Sequence, residues 1–138
     1  MNIVKVCKKI PYIYKELEKL LIEKLPEYIQ KINIKYNDQI ILKTFENTTL
    51  EENCIKVPCF KFISYKATYT EKDRIICNTE FKIDFEIKFA EHESYKIWKF
   101  DRYIQAINDM LCESETEYSY TISEEENFKF TITVIVEF

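Results

Sequence analysis

Residues 79–89 read TEFKIDFEIKF. Phe81, Ile83, Phe85, Ile87 and Phe89 are apolar, and Glu80, Lys82, Asp84, Glu86 and Lys88 between them are charged. Side chains alternate across a β-strand, so this period of two puts phenylalanine and isoleucine on one face and charge on the other. A 3.6-residue period would scatter the charges through the apolar stripe. The stretch is therefore a long strand, Ile75 to Phe89, in a sheet with one covered and one solvated face.

The chain on either side supplies its neighbours. Cys59 to Tyr69 reads as an antiparallel partner whose apolar phase switches from Phe60 and Phe62 to Tyr65, Ala67 and Tyr69, which predicts a bulge near Ile63–Ser64. Thr70 to Arg74 is the connecting hairpin loop. Glu91–His92–Glu93–Ser94 ends the strand, with Ser94 as a candidate N-cap for a helix over Tyr95–Leu111. Tyr95, Trp98, Ile104, Ile107 and Leu111 form that helix's predicted buried stripe, flanked by Tyr103 and Met110. Towards the N-terminus, residues 8–33 carry Ile13, Leu17, Leu20, Leu21, Leu25, Tyr28 and Ile32 at helical spacing, with a kink or split expected where Pro26 follows Lys24–Leu25. Asn37–Asp38 signals a turn, Gln39–Phe45 a strand, and residues 46–58 a polar loop. Tyr118, Tyr120 and Ile122 alternate as a short strand, Ser123 to Asn127 turns the chain, and Phe128 to Phe138 alternates as the last strand. The order α-β-β-β-α-β-β, with short turns between strands, predicts a single α+β domain over residues 1–138, a mainly antiparallel sheet with helices on one face.

Composition narrows the function. The net charge is −4, with acids and bases interspersed, so nothing favours sequence-specific nucleic-acid binding. All but two of the 20 basic residues are lysine, and Ile, Asn, Tyr and Phe abound, as codon bias in an AT-rich genome produces. There is no glycine, so phosphate-cradling loops and dinucleotide fingerprints are excluded, and turns must use Asn and Asp where φ is positive. Five cysteines without a CxxC pair or a secretory leader point to a reducing compartment. No apolar run approaches the ~20 residues that span a bilayer, so a soluble protein made in the cytoplasm is expected.

Catalytic chemistry is not signalled. His92, between two glutamates, reads as a solvated loop residue, because no second group is placed beside it to make a base or a metal ligand. Cys54, Cys59, Cys77 and His92 have no standard zinc-site spacing, and small buried cysteines are the commoner case. No catalytic residue, cofactor or metal is assigned. Glu113, Glu115 and Glu117, and Glu124 to Glu126, read as solvated turns that guard sheet edges, or as a surface for a cation or a basic partner. The tyrosines of YKATY and EYSYT fit strand propensity and an interface equally well. Thr131, Thr133 and Ile135 on the outer face of the last strand, with Phe138 at its end and the hairpin residues Glu71, Lys72, Asp73 and Arg74, are the candidate interface with another subunit.

Several segments in order carry a resemblance over nearly the whole chain: LLIEKLPEYIQKI, the hairpin VPCFKFISYKATY and TEFKIDFEIKF, then YKIWKFDRYIQAINDML, EYSYTI and NFKFTITVIVEF. This layout resembles the small tail-terminator, tail-completion and head–tail joining proteins of tailed bacteriophages and prophages. The resemblance implies an α+β protomer that closes into a ring, often a hexamer, caps the tail tube and meets the neck proteins, made in the bacterial host and then carried in the virion. It brings no catalytic residues with it. The other class the residues allow is a monomeric binding module, such as an immunity protein or inhibitor, setting an acidic face against a basic target.

Overall fold

A computed structural model of the chain describes residues 5–7, 10–44, 59–88, 95–125 and 129–137. Its elements are β1 (Lys5–Cys7), α1 (Ile10–Lys19), a π-helical turn (Leu20–Lys24), α2 (Leu25–Tyr36), β2 (Cys59–Lys72), β3 (Ile75–Lys88), α3 (Lys96–Glu113), β4 (Ser119–Glu125) and β5 (Lys129–Glu137). The fold is α+β, with the helices layered on one face of the sheet.

The alternating stretch is the middle of the sheet. β2 pairs with β3 along one edge of it, from Cys59 opposite Lys88 to Lys72 opposite Ile75. β5 takes the other edge from Glu80 to Lys88, and β1 lies parallel to the same edge at Ile75–Cys77. β4 pairs with β5 and completes the order β2-β3-β5-β4. Each of these four strands runs antiparallel to the next. Phe81, Ile83, Phe85 and Ile87 are all but inaccessible, and so are Phe130, Ile132, Val134 and Val136 on β5. Burying a side chain of this size stabilises by roughly 1.5–3 kcal/mol.

Ile63 is the extra residue in the ladder, since Phe62 faces Phe85 and Ser64 faces Asp84, so the bulge read from the phase switch is present. A second irregularity sets Thr68 opposite Glu80 but Tyr69 opposite Asn78, which moves the buried phase of β3 from Thr79 to Asn78. The expected hairpin loop is shorter than read. β2 continues to Lys72, and Asp73 (φ 52°) with Arg74 (φ 64°) makes a two-residue turn. Paired left-handed residues match the twist of the flanking strands and set the connection's length. Asp73 and the left-handed C-cap Asn37 (φ 46°) fill the role glycine usually takes; Arg74 and Tyr95 (φ 64°) are the other two such positions among the described residues.

Pro26 does not break the helical run. The five-residue π turn precedes it, and Leu21, Leu25 and Ile29 stay buried across the junction. A proline lacks the N–H of an α-helical bond and crowds the carbonyl four residues back, and one wider turn absorbs both.

Two expectations are corrected. Gln39–Thr44 is not a strand: these residues carry no regular secondary structure, and Phe45 lies outside the described residues. The buried face of α3 is also turned from the expected one. Arg102, Tyr103, Ala106, Ile107, Met110 and Leu111 are buried, whereas Trp98 is 55% and Tyr95 40% exposed. Ala106 is fully buried on this face. Reading for large apolar residues alone passed over it. Ser94 as N-cap and the 46–58 loop lie outside the described residues. The strand Lys5–Cys7 was not expected.

Candidate interaction surfaces

The expected interface residues divide between two places. Glu71, Lys72, Asp73 and Arg74 form the exposed tip of the β2–β3 hairpin, where the Arg74 N–H donates to Glu71 Oε1 at 2.9 Å. Thr131, Thr133 and Ile135 lie half-buried on the outer face of β5, and Phe138 lies outside the described residues. That outer face is polar and knitted together. Asp84 accepts from the Thr133 hydroxyl at 2.5 Å and from Ser64 Oγ at 2.9 Å, and Lys129 pairs with Glu86 at 3.9 Å. Ile135, between Ser119 and Lys82 in the ladder, is a lone aliphatic group. The Thr133 hydroxyl is thus bonded within this face.

The sheet's edges are different in kind. β2 and β4 are the outermost strands, and among the described residues no strand pairs with the far side of either. On β2, Tyr65 is 63%, Tyr69 51% and the bulged Ile63 45% exposed. Tyr65 packs against Phe62 and Phe81 with ring centroids 6.2 and 6.0 Å apart, and Phe62 meets Tyr14 of α1 edge-on at 5.9 Å. An apolar rim therefore continues from the core out along the edge strand. On β4, Tyr120 and Ile122 sit at positions facing Val134 and Ile132, on the helix side of the sheet. Tyr118 donates to Glu16 Oε1 of α1 at 2.5 Å, and Tyr120 to Asn108 Oδ1 of α3. Burial raises the Glu16 carboxyl, but bonds from Tyr118, Thr116, Ser114 and Tyr12 outweigh it and bring the group below its usual range. Burial, then Glu16, pushes the Tyr118 hydroxyl up. Tyr28 of α2, bonded to Glu113, is pushed up to about 12 by that bond. These bonds fix β4 and the segment before it to the helices.

The third surface lies on the helix layer. The Arg102 guanidinium grips Asp38 through two bonds, 2.8 Å to Oδ1 and 2.7 Å to Oδ2, donates to the Ile40 carbonyl at 2.9 Å, and lies 3.9 Å from the centre of the Tyr36 ring. Arg102 holds the Asp38 carboxyl down to about 2, well below its ordinary range. Asn33 imitates a β-ladder partner, accepting from the Leu42 N–H at 2.9 Å and donating to the Leu42 carbonyl at 3.0 Å. Tyr103 does the same for Lys43, at 3.2 Å from its N–H and 3.0 Å to its carbonyl. Around this clamp Tyr95 and Trp98 meet edge-on at 6.1 Å, Gln39 Nε2 donates to the Tyr95 hydroxyl at 2.6 Å, and Tyr36 donates to Gln105 at 2.8 Å. An arginine inside a helix's apolar stripe, after an Asn-Asp turn, was the signal for the clamp in the sequence.

The one cavity described between helices and sheet holds about 10 Å³, room for a single water, and is lined by apolar groups including Leu17, Leu21, Phe85, Ile107, Met110 and Val134. Among the described residues no group of three or more His, Cys, Asp or Glu is placed to hold a metal ion. Cys54 and His92 lie outside them, and Cys77 is half-buried on β3. No helix among them is long and apolar enough to cross a membrane. Comparison with protein-family models, with characterised proteins and with solved structures found no match to the chain.

Proposed function

We propose that the chain is a non-enzymatic assembly subunit that docks other protein chains through its sheet edges, in the manner of a ring-forming tail-terminator or neck component of a phage or prophage. The observation that carries this is β2, a 14-residue edge strand with exposed tyrosines along an apolar rim. A long edge presents a row of backbone donors and acceptors that another strand satisfies, and tyrosine supplies contact area at low entropic cost. The phage assignment rests on the order of sequence elements. In that role the protomers encircle the end of the tail tube, and the neck proteins dock on the ring.

A second reading, a monomeric inhibitor, is favoured by the acidic stretch from Glu113 to Glu126, which holds no basic residue. Electron microscopy of the purified protein separates the two. Closed rings of uniform diameter are expected, and particles no larger than one protomer at every concentration overturn the assembly reading.

A further inference from the structure

The two outer edges of the sheet, unpaired among the described residues, carry opposite charge. β2 contains Lys61, Lys66 and Lys72 against a single acid, Glu71. β4 ends in Glu124 and Glu125 and follows the exposed Glu113, Glu115 and Glu117, with no lysine or arginine from Cys112 to Asn127. Four main strands, each antiparallel to the next, also leave the two edges running in opposite directions. A second copy placed beside the first, its strands and helix layer facing the same way, therefore offers an antiparallel β4 to the first copy's β2.

We propose, building on the assembly reading, that the partner of β2 is β4 of a neighbouring copy, so that one sheet continues head to tail from protomer to protomer. Registers two residues apart keep both faces in phase with Ile63 left unpaired, as it is within the protomer, and charge selects the one that sets Lys61 against Glu125. On the helix side Tyr65 comes opposite Ile122, Ala67 opposite Tyr120 and Tyr69 opposite Tyr118. The two most exposed tyrosines of the edge are thereby covered by the half-buried apolar residues of the other edge. Cross-strand pairs of this kind are the unit of sheet stabilisation. Pairing β2 with β2, or β4 with β4, sets lysine edge against lysine edge or glutamate edge against glutamate edge, so like charge disfavours the two-fold arrangements. Lys66, which stands opposite Lys82 inside the protomer, comes opposite Thr121 of the neighbour, so no further like-charge contact is added there. A head-to-tail contact yields a ring when its rotation closes.

Three variants test the pairing. Lys61→Glu with Lys66→Glu reverses the β2 edge, and Glu124→Lys with Glu125→Lys reverses the β4 edge. Tyr65→Glu, at a position already 63% exposed, is the second way to block β2. Each is first checked for a cooperative thermal transition, and molar mass is read by light scattering against the 16.8 kDa protomer. Each variant alone is expected to be a monomer. The Tyr65→Glu and Glu124→Lys/Glu125→Lys proteins, mixed one to one, are expected to form a species of twice that mass and nothing larger, because only one compatible β2–β4 junction remains between them. Variants that still assemble as the wild type does, or a mixture that stays monomeric, overturn the β2–β4 pairing while the assembly reading stands. A wild type that is monomeric throughout overturns both.

Discussion

Asn33→Ala is expected to release the segment between α2 and the 45–58 region. Its side-chain amide makes both backbone bonds of Leu42, at 2.9 and 3.0 Å, and the Leu42 side chain is only 3% exposed. Each such bond contributes about 1 kcal/mol net, and water reaches part of the site, so the loss is about 2 kcal/mol. For a chain of this size, with roughly 10 kcal/mol of total stability, that is a fifth. With a urea m-value of about 2 kcal/mol/M, the midpoint falls by about 1 M with the slope unchanged. Hydrogen exchange of the Leu42 amide accelerates in step. Asn33→Asp keeps the acceptor for the Leu42 N–H and loses the donor, so it falls between. Tyr103→Phe removes the corresponding pair at Lys43, and the double variant costs less than the sum because both anchors hold one segment. A midpoint shift below about 0.2 M with Leu42 still protected refutes this reasoning, and assigns the segment's hold to burial of Ile40 and Leu42 instead.

Three further outcomes are expected. Phe85→Ala, at the centre of the covered face, costs about 3–5 kcal/mol in denaturant unfolding, and Phe85→Asp abolishes the cooperative transition; a folded Phe85→Asp protein means the sheet's faces are reversed. Asp38 has a depressed carboxyl pKa, so its contribution is complete above its ordinary value near 4 and is lost as pH falls through about 2. The urea midpoints of the wild type and Asp38→Asn should therefore differ at pH 6 and converge by pH 2, and a gap that is constant with pH contradicts the clamp. Trp98→Ala, at a 55%-exposed position, is expected to change stability by less than about 0.5 kcal/mol; a loss of several kcal/mol places Trp98 in the core.

The sheet was legible because its pattern is physical. A period of two in β3 and β5 has one solution when one face is covered, and the phase switch at Ile63 could arise only from an extra residue in the ladder. The segment after Asn37 misled because its apolar alternation, Ile40 and Leu42 inward, is that of a strand. Its backbone partners, Asn33, Arg102 and Tyr103, are side chains, two of them some 60 residues away. Size does not report burial on α3: Trp98 and Tyr95 are exposed, whereas its smallest apolar residue, Ala106, is fully buried. Three residues of β1 are too few to carry any period. The hairpin tip is exposed, as any two-residue turn between long strands is. The acidic run and the tyrosines of β2 are visible in the sequence, but their opposition across the width of the sheet is a fact of topology. Only the strand order brings it out.

The most direct test of assembly through the sheet edges is the absolute mass of the unmodified chain in solution, by light scattering on a sizing column over a wide range of concentration. A discrete multiple of 16.8 kDa, persistent on dilution and dissociating as salt screens the lysine and glutamate edges, is the predicted result. A single 16.8 kDa species at every concentration and ionic strength contradicts it.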